Sequence, residues 1–446
     1  MSLFKGNKRL YPISFNRKKE QGLFGAITFS IGSIIGGGIF ALTGISLNIA
    51  GPGVIVSYII AFLIILISAI SYAQLSALYI SDGGGYLFIK KLLGNFLGFI
   101  SGWAIYISGA IFIAFVLSVF GDYMSTFFIH SIHPIYFSFI ALIFLMCLAY
   151  LDLSDTKWFE GVLVIVTIFI LFLFGLFGVS HFNPSHFSNF FPYGGGGVFK
   201  VIGILFISFM GFQVISNMEV ETKDPKKNIP RAIILSLIFV LIIYLFVVIA
   251  TVSVLGANFN VASVGLAAEK SMGTLGFLIP LAALFATLSS ANSNIISTTR
   301  TISSMALEGQ ISSKFVKLNK YDVPRNSLIF IFLVTTLFLL VNNINFLVEV
   351  AATIVMFIFI LINFAAVMVH IRFRDIISEK TFKRLGGEVF PLFGVVATVI
   401  MLLSVSILSF IVALLLIFMG IFYYEKKNIS KPSLIIKSIR EKIYRR

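Results

Sequence analysis

Residues 32–38 read Gly32-Ser33-Ile34-Ile35-Gly36-Gly37-Gly38. The string sits in the middle of an apolar run, 23–47, that is long enough to cross a bilayer, which takes about 20 residues. Each of three consecutive glycines weakens a helix by about 1 kcal/mol relative to alanine. Hydrocarbon tolerates open backbone only where protein or a watery cavity surrounds it. Two readings compete. Small residues four apart let helices pack closely. A broken helix instead frees N–H groups at the start of its second half, and the dipole there suits a carboxylate. In an otherwise bulky span, the full GSIIGGG string favours the break.

Further apolar runs lie near 54–78, 98–121, 135–151, 160–179, 199–220, 231–255, 276–299, 328–343, 347–369, 391–405 and 407–423. The chain is 59% apolar and only 11% charged, whereas a soluble domain has about a quarter of its residues charged. A soluble enzyme, a secreted domain and a disordered chain are excluded. The expectation is an all-α polytopic membrane protein of twelve helices. Eleven is the alternative, because Pro391–Tyr423 is short for two spans and long for one. A tight hairpin turning near Ser404–Ser409 keeps the number of crossings even. The first run is too long for a signal-peptide core and has no small-residue cleavage site, so it is read as retained.

Alternate connections hold 31 of the 33 lysines and arginines, and the opposite side holds only Lys200 and Lys270. By the positive-inside rule both termini are expected in the cytoplasm. The net charge of +15 then needs no nucleic acid. The basic tail from Lys426 to Arg446 lies beside anionic inner-leaflet lipids, where each basic residue contributes about 1 kcal/mol. The single cysteine, Cys147, has no disulfide partner and is expected to be a buried thiol acting as a small apolar residue.

Span six carries a second interruption, Ile207-Ser208-Phe209-Met210-Gly211-Phe212-Gln213. Spans one and six occupy corresponding positions of two five-span halves of opposite orientation. Paired interruptions in inverted repeats point to a transporter's central site.

Several stretches now resemble one family. Gly32–Phe40 followed by Ala50-Gly51-Pro52-Gly53, and Asp82-Gly83-Gly84-Gly85-Tyr86 leading to Gly102-Trp103, are similar to the amino acid–polyamine–organocation (APC) superfamily permeases. So are Phe209–Phe212 with Glu221-Thr222-Lys223-Asp224-Pro225, and Ala283–Ser290 running on to Glu308-Gly309. The resemblance spans roughly residues 20–330. It implies a leucine-transporter-type 5+5 inverted-repeat fold with broken helices 1 and 6. On that pattern 1–21 is a cytoplasmic tail, 22–180 and 198–370 are the repeats, 388–424 is an accessory hairpin and 425–446 is a second tail. It also implies uptake or exchange of amino acids or related amines across the plasma membrane by alternating access, without enzyme activity.

Carried onto this sequence, the resemblance places a substrate carboxylate at Gly36, Gly37 and Gly38. The ammonium falls to the carbonyls of Ile34, Phe209 and Met210, beside Gly211. Tyr106 and Asn294 either line the side-chain pocket or are polar residues satisfied between helices. Gln213 stands where relatives handling basic substrates can have an acid, which favours neutral amino acids. A polyamine or organic-cation exchanger, or an ion or nucleobase carrier on the same fold, is the alternative.

No organic cofactor is expected, and sodium and proton coupling both stay open. Proton-coupled members often carry a lysine midway along span five, where this sequence offers Thr167. Ser289 and Ser290 match the hydroxyl pair of sodium-coupled relatives, and the carbonyls of Gly32, Ile35 and Ala286 complete an oxygen set of the kind hard cations prefer. The opposing reading is that both serines back-bond within their own helix.

Four other features are weighed. Glu349 is read as a headgroup-level acid, with a gate or relay as the alternative. Glu219 and Glu221 are candidates for an inner latch with Lys226, Lys227 or Arg231. The alternative there is loop chemistry, with Pro230 opening helix seven. His130, His133, His181 and His186 are too loosely spaced to suggest zinc. Gly194–Gly197 reads as a flexible linker. Neither a catalytic cluster nor a channel filter is visible in the sequence.

Overall fold

The computed structural model describes residues 21–79, 83–128, 132–152, 157–219, 221–256, 263–372 and 388–427. The expected basic tails, Asp82 and His130 fall outside the described residues, apart from the first residues of the C-terminal tail. Regular structure among the described residues is helical, with isolated bridges at Gln21–Thr222 and Leu318–Pro324.

The helices run in order as α1 (Leu23–Ile34), α2 (Thr43–Ala50), α3 (Val54–Leu78), α4 (Gly84–Leu93), α5 (Asn95–Phe128), α6 (Pro134–Tyr150), α7 (Lys157–Val179) and α8 (Gly194–Phe206). They continue as α9 (Pro225–Leu255), α10 (Val264–Met272), α11 (Leu278–Leu307), α12 (Arg325–Leu339), α13 (Ile344–Arg372), α14 (Val389–Met401) and α15 (Ile407–Lys427). Eight helical stretches are long and apolar enough to cross a membrane, one of them running through α1 to α3. Three shorter apolar helices lie at Pro134–Tyr150, Arg325–Leu339 and Val389–Ser404.

α5 is the axis of the bundle. Its apolar side chains are buried almost throughout, and it packs against α11, α13, α4, α6, α12 and α15. The peripheral helices instead expose large apolar residues, among them Phe144 on α6, Phe169 on α7, Leu337 on α12 and Phe418 on α15. Lipid tails are as apolar as leucine, so helix association in a bilayer rests on close packing and interhelical hydrogen bonds. Both occur here. Trp103 of α5 donates Nε1–H to the Leu416 carbonyl of α15 at 2.8 Å, and Asn363 of α13 donates to Ser68 of α3 at 2.9 Å.

Three sequence expectations change. Gly194–Gly197 forms the first turn of α8 rather than a linker. Pro225 opens α9, and Pro230 lies inside it. Its absent N–H falls one turn into the helix, close to the end where N–H groups lack intrahelical partners. Cys147 is exposed, on a flank of α6 shared with Ile140 and Phe144. A thiol behaves as a small apolar group, so such a flank accommodates it. The terminal apolar stretch forms two helices, as expected, interrupted at Val405 and Ser406.

Candidate functional site

Two interrupted helices meet at the centre of the bundle. α1 ends at Ile34, Ile35 turns to an extended conformation (φ −73°, ψ 92°), and the chain resumes as a wide π-type turn over Gly38–Leu42 before α2. The N–H groups that open a helical segment have no preceding turn to bond to, and this segment opens at Gly38, with Gly37 before it. α8 ends at Phe206, followed by a 3₁₀ turn, an extended Met210 (ψ 154°) and Gly211 at φ +115°. That φ lies in the region glycine adopts without steric cost.

The breaks are in mutual contact. A Cβ on Gly38 would lie 2.8 Å from Ser208 Cα, and one on Gly211 would overlap the carbonyl of Ser33. Tyr244 of α9 joins them. Its hydroxyl lies 3.0 Å from the Ser208 carbonyl and 3.3 Å from that of Ile34. The Gln213 side chain folds back to accept the Gly211 N–H at 3.0 Å.

Beside the breaks lies a cavity of about 30 Å³, walled by Met210, Gln213, Asn294, Asn217, Thr298 and Phe359 among others. That volume suits one or two water molecules. Of the expected substrate residues, Met210, Gln213 and Asn294 reach the cavity wall. Ile34, Gly36, Gly37, Gly38, Phe209 and Gly211 lie at the breaks themselves. Tyr106 is not brought together with them. Its ring stacks on Phe330 at 4.9 Å and its hydroxyl donates to the Phe330 carbonyl at 3.1 Å. Ile105, Ser108 and Gly109 occupy the face of α5 turned to the cavity, so Tyr106 points to α12.

The expected ion-coupling residues separate into two groups. Ser290 donates to the Ser33 carbonyl at 2.9 Å, tying α11 to the last turn of α1. Ser289 points the other way, 2.7 Å from where a Gly32 Cβ would sit and 3.5 Å from Glu160 Oε1. Ser293 also donates to Glu160. Next to them on α11, Ser293 and Asn294 back-bond to the carbonyls of Ser289 and Ser290 at 2.9 and 2.8 Å, as Thr287, Thr299, Thr301 and Ser303 do to carbonyls of the same helix. Ile35 and Ala286 are both buried. Thr167 is buried too, and its hydroxyl has no hydrogen-bond partner. It stands seven residues along α7 from Glu160, about 10 Å at 1.5 Å per residue. The carboxylate of Glu160, not Thr167, is what α7 brings to Ser289.

One end of the site is closed by charge. Arg300 of α11 is buried and donates to Glu221 at 2.6 Å and to the Asn217 carbonyl at 2.7 Å. Asn217 in turn donates to Ser297. Glu221 therefore pairs with Arg300, whereas Lys226, Lys227 and Arg231 are exposed. Below it Lys90 pairs with Glu308. Lys91, on the loop helix α4, lies over the Tyr79 ring at 5.1 Å. Burial pushes its ammonium down to about 8, with Glu219 acting in the opposite direction.

Reading the sequence missed Tyr244, Glu160 and Arg300. Each sits near a span end or within an ordinary apolar run, and no local pattern marks a partner some 80 to 210 residues away. The spacing of Ser289 and Ser293, four residues apart on one face of α11, is the one signal that hinted at a polar partner opposite.

The sequence model of the amino acid permease family matches residues 25–434. The chain belongs to that family. It is 26% identical over 440 residues to the branched-chain amino acid permease BcaP of Bacillus subtilis (strain 168), covering 92% of this chain and 94% of that one. It is 28% identical to the inner membrane transport protein YbaT of Escherichia coli (strain K12) over 66% of this chain and 71% of that one. The cationic amino acid transporter 1 of Arabidopsis thaliana is 26% identical over 51% of this chain and 41% of its own length. The permease is thus a multi-pass membrane protein of an amino acid transport family, and its broken helices are to be read in that light.

Proposed function

We propose that this permease carries neutral amino acids, branched-chain ones foremost, across the plasma membrane by alternating access. The observation that carries the reading is the reciprocal contact of the two breaks, Gly38 on Ser208 and Gly211 on Ser33, bridged by Tyr244. A zwitterion between them would set its carboxylate on the amides of Gly36–Gly38 and its ammonium on carbonyls around Ile34, Phe209 and Met210. The neutral reading is supported by a cavity wall that carries no acidic side chain among the described residues, with Gln213 beside Met210, Val355 and Phe359. It is also supported by the name of the Bacillus relative. The plant relative's name keeps a cationic substrate as the second reading.

The architecture that goes with this reading is twelve crossings with both termini in the cytoplasm. Two inverted repeats, 22–180 and 198–370, would be followed by the accessory hairpin 388–424. Counting α1–α2 and α3 as separate crossings and including the three shorter helices supports that number.

The coupling ion belongs with Glu160, Ser289 and Ser293, next to Gly32. Carboxylate and hydroxyl oxygens suit a proton or a sodium ion. The test is counterflow in proteoliposomes with a panel of labelled amino acids and amines. Leucine, isoleucine and valine should exchange, while lysine, putrescine and purines should not. Exchange of amines alone would overturn the assignment. Replacing sodium by choline separates the two coupling ions.

A further inference from the structure

A second cavity, of about 380 Å³, opens at the Lys200 end of the bundle, far larger than the central one and within the range of small-ligand sites. It is framed by the start of α8, the start of α13 and the turn between α14 and α15. Its wall carries one cation, Lys200, and one anion, Glu349, together with Ser404, Ser406, Phe199 and Leu403. The two charges do not pair with each other. Glu349 accepts hydrogen bonds from Ser406 and, at 2.8 Å, from Ser409, so its carboxylate is held in place by the turn. The turn itself is pressed onto α8, where Gly203 lies too close to Ser404 for any side chain. Leu403 on the wall and Ile407 just past it are 78% and 79% exposed, as residues facing lipid would be.

We propose that this cavity is a second ligand site, for a zwitterion carrying a primary ammonium and an anionic group a few bonds apart. The ammonium goes to the fixed carboxylate of Glu349, the anion to Lys200, and apolar substituents lie along Phe199 and Leu403. Opposite charges on one wall that are not neutralised by each other are complementary to a ligand of that kind. Two sources share this chemistry, an aminophospholipid headgroup from the adjoining bilayer and a free amino acid. Because α8 leads directly into the break at Ile207–Gly211, occupancy would bear on the segment that moves in transport.

The full chain in nanodiscs provides the test, read by the melting midpoint, which rises when a ligand binds the folded state alone. The midpoint is compared in phosphatidylcholine alone, in phosphatidylcholine with phosphatidylethanolamine, and in phosphatidylcholine with added L-leucine. Lys200→Gln and Glu349→Gln should abolish the rise given by one of the two additions. Loss on the phosphatidylethanolamine arm assigns a lipid headgroup, and loss on the leucine arm assigns a free amino acid. Gly195→Ala, at the start of α8 with open space around its missing Cβ and off the cavity wall, should keep the rise. The proposal is overturned if neither rise depends on Lys200 and Glu349, or if Gly195→Ala abolishes it equally. A leucine rise that survives both charge substitutions belongs to the central site, so the two sites are told apart.

Discussion

Tyr244 holds its hydroxyl 3.0 Å from the carbonyl of Ser208, and the same oxygen lies 3.3 Å from the carbonyl of Ile34. One side chain on an unbroken helix therefore serves both broken ones. Losing it by Tyr244→Phe leaves buried acceptors unsatisfied, at a cost of about 1–3 kcal/mol. The melting midpoint should fall by several degrees and uptake by several-fold, with no change in the helical signal.

Gly211 combines φ +115° with direct contact on Ser33. Gly211→Ala meets both backbone strain, about 1–3 kcal/mol, and an overlap that only separation of the two breaks can relieve. Transport should be abolished. Gly195, at the exposed start of α8 with no atom near its missing Cβ, is the matched control, and Gly195→Ala should transport at the native rate. Uptake by both variants at equal surface expression checks this.

Glu160 is buried where α7 crosses α1 and α11. If it carries the coupling ion, Glu160→Gln should abolish concentrative uptake while counterflow, which needs no ion gradient, persists. Ser293→Ala should weaken the ion dependence without removing it. Ion dependence in Glu160→Gln equal to that of the native chain would sink this role.

The pair Arg300–Glu221 joins α11 to the exit of the second break. Removing one partner of a buried ion pair costs about 3–5 kcal/mol, because the other charge stays buried. Glu221→Gln should therefore open this end of the site. In a Cys147→Ala background, a cysteine placed by Ser297→Cys at the cavity wall should label faster in the Glu221→Gln variant.

Lys91 ionises near 8 in the folded chain, against 10.5 when unburied. Between those values the unfolded chain binds more protons than the folded one, so stability rises as pH rises across that window. Melting midpoints from pH 7.5 to 10 should climb in the native permease more than in Lys91→Met, where this contribution is absent.

Much of the fold was legible because a bilayer imposes a length and a composition on each crossing. The run 54–78 coincides with α3, and an interruption at Val405 and Ser406, inside the expected Ser404–Ser409 stretch, separates α14 from α15. Boundaries drifted where helices continue beyond the hydrocarbon: α5 reaches Phe128 rather than residue 121. The glycine strings marked both interruptions, since backbone freedom is a property of single residues. What they could not indicate was direction. Tyr106 is the candidate that the family resemblance offers on this helix, yet Ser108 faces the cavity instead, because rotation of α5 is set by its neighbours.

The sequence by itself determined the membrane class, the position of the long apolar helices and the two points where helices give way, all consequences of local composition. Tertiary structure alone decided which groups meet at those points. Glu160 reaches Ser293 across 133 positions, Arg300 reaches Glu221 across 79, and Tyr244 reaches Ile34 across 210. Buried polar groups must find partners wherever packing brings them, and packing depends on the rotation and tilt of whole helices rather than on any one stretch of chain.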